Sequence, residues 1–145
     1  MPDVDVGACR PEFYLTAAET EQSRVLPCAP RSVAVARRLV AAVLDLWQLP
    51  QLTEAAVTVA SELATNAIVH AKTHGASIRV AVSLIEVDRI QVAVTDLDRR
   101  QPILVEHSAP DEEGGRGLAL VASLSENWGV DPRYLGKRVW VELAA

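Results

Sequence analysis

The fold is decided by residues 77–96, SIRVAVSLIEVDRIQVAVTD, in which apolar and polar residues alternate. Apolar residues stand at every second position on both sides of a polar turn near residues 86–88. They are Ile78, Val80, Val82 and Leu84 before the turn and Ile90, Val92 and Val94 after it. A period of two is typical of a β-strand that buries one face. Two such segments joined by a short turn predict an antiparallel hairpin.

Two segments with helical spacing precede this hairpin. In the first, which follows Pro30 and ends at Leu49-Pro50, apolar residues recur at every third or fourth position. The second runs from Thr53, a residue type suited to a helix N-cap, to about Ala71. The hydrophobic period therefore changes from helix to strand just before the hairpin.

The remaining segments complete an α+β fold. Residues 23–26 predict a short edge strand, residues 118–124 a short helix, and residues near 127–130 and 137–143 two more strands. This order predicts a two-layer α/β sandwich, with helices on one face of a mixed, mostly antiparallel sheet. We expect residues 1–20 to form a partly mobile N-terminal extension and residues 21–145 to form a single domain.

Composition excludes several classes of protein. The chain has 145 residues and a net charge of −5, which argues against the concentrated basic surface of a nucleic-acid binder. Its longest apolar run, Leu39–Leu44, has six residues, whereas a membrane span needs roughly 20. The N-terminus lacks the pattern of a secretory signal, and Cys9 and Cys28 are a poor basis for a disulfide framework. We therefore expect a cytoplasmic protein.

The second helix carries a polar line beside its apolar stripe. Glu62, Asn66 and His70 follow one another at intervals of one turn along the border of that stripe. A carboxylate and a carboxamide so spaced can bind a hard cation through oxygen, and the carboxylate could instead accept a proton. A plain solvated helix edge would give the same pattern, so this line alone does not identify a site.

Two further features involve potential ligand-binding groups. Asp96 shares the parity of the apolar residues in its strand, which predicts that it points inward. A buried carboxylate needs a hydrogen-bond donor, and the exocyclic amine of a base would serve. Alternatively, the strand ends at Asp96, which then caps a turn in solvent. Gly114-Gly115-Arg116-Gly117 precedes a helix, where glycines allow close backbone approach and free N–H groups attract anions. Glycine-rich turns before helices are common, so this segment is weak evidence by itself.

Together, Ser61–Ala71, Val94–Asp96 and Gly115–Leu118 resemble the N, G1 and G2 boxes of the histidine-kinase-like (GHKL, Bergerat-fold) ATPases. Within that superfamily the sequence is most similar to the small stand-alone anti-sigma factor serine/threonine kinases. The similarity covers about residues 22–144, including Asn127-Trp128-Gly129 and the segment 136–143.

This resemblance implies a role for each matching residue. Asn66 would bind the Mg²⁺ that bridges the phosphates of ATP, Glu62 would be the general base, and Asp96 would accept a hydrogen bond from the adenine amino group. The G2 turn, comprising Gly115, Arg116, Gly117 and Leu118, would bind phosphate, and residues 97–114 would form the ATP lid. The implied partners are a sigma factor, an anti-sigma antagonist that is phosphorylated on serine, and a second copy of the chain.

Two departures from the family pattern support an alternative. The G1 box usually reads Asp-x-Gly-x-Gly, whereas residues 96–100 contain no glycine and Asp98 stands at the first glycine position. Val69 occupies a position that is often basic in relatives. The alternative is a catalytically weak or inactive protein-binding regulatory module that retains the ATPase fold.

Overall fold

The computed structural model describes residues 13, 15, 16, 18–70, 76–97, 124–133 and 136–145. Within these residues the helices are α1 (Arg31–Leu46) and α2 (Thr53–His70), the latter preceded by a 3₁₀ turn at Pro50–Leu52. The strands are β1 (Glu21–Pro27), β2 (Ser77–Glu86), β3 (Arg89–Asp96), β4 (Asn127–Arg133) and β5 (Gly136–Ala144).

The described strands form one five-stranded sheet in the order β1-β2-β3-β5-β4, and each neighbouring pair is antiparallel. The predicted hairpin is β2 and β3, in which Val80 faces Val94 and Val82 faces Val92. A register shift between Leu84 and Glu86 marks an irregularity just before the turn. The predicted edge strand is β1, and the two C-terminal strands lie on the other side of β3, with β5 next to it.

Both described helices pack against the sheet to form the two-layer sandwich. α2 contacts β3, β2 and β5, whereas α1 contacts α2, β1 and β2. The core between the layers consists of apolar side chains from both helices and from one face of the sheet. The largest fully buried ones are Leu39, Leu44, Ile78, Ile90, Leu143, Val40, Val43, Val59, Val80, Val82 and Val92. The expected α+β sandwich is confirmed.

The connection between the helices differs from the expectation. α1 is terminated by Gln48, which adopts a φ of 60°, and the Leu49 N–H donates to the Leu44 carbonyl at 2.9 Å. Pro50 then begins the 3₁₀ turn that continues directly into α2. Thr53 has helical φ and ψ of −62° and −47°, and its N–H donates to the Pro50 carbonyl. The expectation that Thr53 is an N-cap is therefore wrong, because a cap residue has non-helical dihedral angles.

The described residues before β1 contact the sandwich. Phe13 and Leu15 are partly buried against the core, and the Arg24 guanidinium lies 5.6 Å from the centre of the Phe13 ring. The Leu84 N–H donates to the Thr20 carbonyl at 2.7 Å. The division into an extension of residues 1–20 and a domain of residues 21–145 stays a prediction, and these contacts bear on where the folded unit begins.

Candidate functional site

α2 carries two of the predicted site residues on the border of its buried face. The buried side of the helix includes small residues at intervals of one turn, Ala56, Ala60 and Ala64. Small side chains let the helix axis approach the sheet closely. Glu62 and Asn66 are half-buried beside this stripe. Both residues are thus partly accessible to solvent.

His70, the third member of the polar line, is in a different environment. It is the last residue of α2 and is exposed. Val69 beside it is also exposed, with 66% of its surface accessible. The end of α2 therefore presents an apolar side chain at the position that is often basic in the family.

Asp96 is the last residue of β3 and is half-buried. It pairs with Ile78 of β2, and the N–H of the next residue, Leu97, donates to the Ser77 carbonyl at 3.0 Å. Its parity is that of Val92 and Val94, which are buried under the helices. The carboxylate consequently belongs to the helix-covered face of the sheet, at the point where that cover ends.

The packing of α2 on β3 brings these candidates onto neighbouring elements. β3 is the strand that α2 contacts most extensively. Glu62 and Asn66 lie on the helix, and Asp96 ends the strand beneath it. The roles of the three side chains in binding and catalysis stay predictions.

The third predicted feature falls outside the described residues. This feature is the predicted phosphate-binding turn, which consists of Gly115, Arg116, Gly117 and Leu118. The predicted ATP lid lies there too, except for Leu97. Of the predicted helix 118–124, only Leu124 is described.

Sequence reasoning did not place Gly136 in the site, yet the structure puts it against Asp96. Gly136 begins β5 with a φ of +121°, a backbone conformation that residues other than glycine rarely adopt. A Cβ there would lie 2.1 Å from the carbonyl oxygen of Asp96. The available signal was a glycine directly before an alternating strand, but nothing in the sequence related it to Asp96.

The chemistry of these residues fits the ligands that the boxes predict. Asp96 offers a carboxylate acceptor to an exocyclic amine, and Asn66 offers a carboxamide oxygen, a ligand type that suits Mg²⁺. In the described part of the chain, no group of three or more His, Cys, Asp and Glu side chains could hold a metal ion. A magnesium ion here would accordingly depend on Asn66 together with oxygen atoms of the nucleotide and water.

A helical layer on an antiparallel sheet is consistent with a GHKL-type two-layer sandwich. The chain belongs to the family described as the histidine kinase-like ATPase domain, whose model matches residues 26–143. Membership of this family implies ATP binding. The family expected from the three boxes is confirmed, and the anti-sigma kinase type stays a prediction.

A solved structure supports the same fold. The chain is similar to the histidine kinase domain from the Erythrobacter litoralis EL346 blue-light activated histidine kinase, with 22% identity and a TM-score of 0.51. The match covers 77% of this chain and 60% of that chain. No curated protein matches the sequence. None of the described helices is both long and apolar enough to cross a membrane.

Proposed function

We propose that this chain is an ATP-dependent serine/threonine protein kinase and anti-sigma regulator, whose substrate is a serine on an anti-sigma antagonist protein. The observation that carries the proposal is the packing of α2, with Glu62 and Asn66 on its margin, over the strand that ends in Asp96. Membership of the histidine kinase-like ATPase family supports it. The similarity of the three boxes to those of the small stand-alone kinases supports the choice of substrate.

Each residue has a distinct task in this proposal. The Asp96 carboxylate accepts a hydrogen bond from the adenine amino group, and the Asn66 carboxamide binds Mg²⁺. Glu62 accepts the proton that the serine hydroxyl loses as its oxygen bonds to the γ-phosphorus of ATP, and the bond from that phosphorus to the bridging oxygen breaks to release ADP. In reactions of this kind, positioning and neutralisation of charge contribute most of the rate acceleration.

The charge of the chain makes local neutralisation necessary. A protein with a net charge of −5 repels a polyanionic nucleotide over long distances. Mg²⁺ on Asn66, together with backbone N–H groups and Arg116 of the predicted G2 turn, would offset this repulsion. We therefore expect nucleotide affinity to depend strongly on Mg²⁺.

The proposed partners follow from the same resemblance. The kinase would phosphorylate the antagonist and would otherwise hold a sigma factor inactive. It would act in the cytoplasm, with a second copy of the chain as a further partner. It would contact neither nucleic acid nor membrane directly.

Calorimetric titration with ATP, with and without Mg²⁺, tests the binding step. Asp96→Asn should lower the affinity by about ten- to a hundredfold, since a hydrogen bond to a charged group contributes about 1.5–3 kcal/mol. Asp88→Asn is the matched control, because Asp88 is exposed at the β2–β3 turn. Unchanged affinity in Asp96→Asn would show that Asp96 does not bind adenine. Incubation with labelled ATP, Mg²⁺ and candidate antagonists should then transfer label to serine.

One observation favours the alternative of a non-catalytic binding module. Val69, 66% exposed near the margin of α2, provides no positive charge for phosphate. The module would capture its partner equally well with and without ATP, and equally well after Asn66→Ala or Asp96→Asn. A tenfold change in partner affinity on adding nucleotide would exclude it.

A further inference from the structure

Gly136 packs directly on the backbone of Asp96, across the boundary between β5 and β3. A Cβ at Gly136 would lie 2.1 Å from the Asp96 carbonyl oxygen, 3.0 Å from its carbonyl carbon and 3.5 Å from its Cβ. The two nearest atoms belong to the main chain, so rotation of a side chain cannot relieve the clash. The φ of +121° at Gly136 adds backbone strain for any other residue.

The peptide of Asp96 is also fixed from its other side. Asp96 pairs with Ile78 in β2, and the Leu97 N–H donates to the Ser77 carbonyl at 3.0 Å. The end of β3 is therefore held on one side by the hydrogen bond that Leu97 donates to β2 and on the other side by the close contact with Gly136. A side chain at position 136 would have to push the end of β3 out of line or break that hydrogen bond.

We propose that Gly136 is a positioning residue for nucleotide binding, which fixes the Asp96 carboxylate where it meets the adenine amino group. The inference rests on the proposed function, in which Asp96 binds adenine. Gly136 touches no ligand in this proposal; it acts through the main chain of Asp96. The strength of a hydrogen bond depends steeply on the distance and angle between donor and acceptor. A shift of the strand end therefore weakens recognition of the base.

Gly136→Ala tests the proposal, and Gly129→Ala is its matched control. Gly129 lies in the neighbouring strand β4, and a Cβ there would lie 2.6 Å from Cζ2 of the Trp140 indole. Both substitutions add one methyl group to a crowded glycine of the β4–β5 pair, but only the first presses on Asp96. We expect Gly136→Ala to lower Mg-ADP affinity by about tenfold or more. Gly129→Ala should leave the affinity within about twofold, even where its melting temperature falls.

A loss of base recognition separates positioning from a general loss of structure. The ratio of ATP affinity to GTP affinity should fall in Gly136→Ala and stay unchanged in Gly129→Ala. In a chain that already carries Asp96→Asn, adding Gly136→Ala should change ATP affinity by less than about twofold, because the positioned carboxylate is gone.

Each outcome distinguishes this inference from the proposed function. If Asp96→Asn weakens ATP binding by about tenfold or more while Gly136→Ala binds like wild type, the inference is wrong and the function stands. If the wild-type chain does not bind ATP, both fail. If Gly136→Ala does not fold, amide hydrogen exchange is measured on the wild type with and without ADP. Bound ADP should then slow exchange at both the Leu97 amide and the amides of residues 136–138. Protection of the Leu97 amide alone would overturn the inference.

Discussion

Glu62 and Glu54 provide a controlled comparison on a single helix. Glu62 is half-buried at the margin of α2, whereas Glu54 is exposed in its first turn. Glu62→Gln should lower the rate of label transfer to serine by about 10²–10⁴, the usual contribution of a general base. ATP affinity should be nearly unchanged, because the amide keeps the size and the polarity of the side chain.

The measurement is single-turnover transfer at saturating ATP, which separates chemistry from binding. Glu54→Gln should transfer label at the wild-type rate. Equal rates for Glu62→Gln and wild type would remove Glu62 from the chemistry and leave the binding role of Asp96 untouched.

Asp96 and Gly136 mark how far single residues can be predicted from the sequence. Parity left two alternatives for Asp96, an inward carboxylate or a turn cap at the strand end, and its pairing with the buried Ile78 puts it on the helix-covered face. Gly136 could not be predicted in the same way. Its importance arises from a contact between β5 and β3, and this pairing depends on the tertiary arrangement of strands that are distant in the chain.

At the scale of elements, the β2–β3 hairpin and α2 together support the site. Val92 of β3 is fully buried in the core, whereas Val87 at the hairpin turn is 89% exposed. Val92→Ala should lower the free energy of unfolding by roughly 2 kcal/mol, from lost burial and the cavity left behind. Val87→Ala should change it by less than about 0.5 kcal/mol.

Chemical denaturation followed by circular dichroism measures both variants. The comparison uses the same substitution on the same hairpin, once in the core and once at the exposed turn. A similar loss for the two variants would contradict the register in which Val92 faces Val82 and Val141.

Elements with a strong period were predictable, and the junctions between them were not. The periods of two and 3.6 identified the hairpin and both described helices. Proline is a stop signal for a helix and is also favoured in the first turn of one, so the sequence alone does not predict the 3₁₀ turn at Pro50–Leu52. The register shift near Leu84 leaves no trace in the alternation of apolar residues.

At the scale of the whole molecule, the described residues before β1 contact the sandwich. Phe13 and Leu15 pack against the core, and Thr20 accepts a hydrogen bond from Leu84. Deleting residues 1–20 should lower the melting temperature by about 3–8 °C, which corresponds to a loss of 1–2 kcal/mol in a domain of this size. Scanning calorimetry of the truncated and full chains measures this difference.

The double variant Phe13→Ala, Leu15→Ala in the full chain should reproduce most of that loss. It separates the contacts of these two side chains from other effects of the deletion. An unchanged melting temperature after the deletion would place the start of the folded unit at β1.

The position of β5 between β3 and β4 also has a consequence for biosynthesis. A nascent chain released from the ribosome only as far as Asp96 contains the candidate base, the candidate magnesium ligand and the candidate adenine-binding acid. It still lacks the strand that pairs with the far side of β3, and Gly136 with it. Competence to bind nucleotide should thus arise only after β5 has left the exit tunnel, and chains stalled at Asp96 should not sequester ATP.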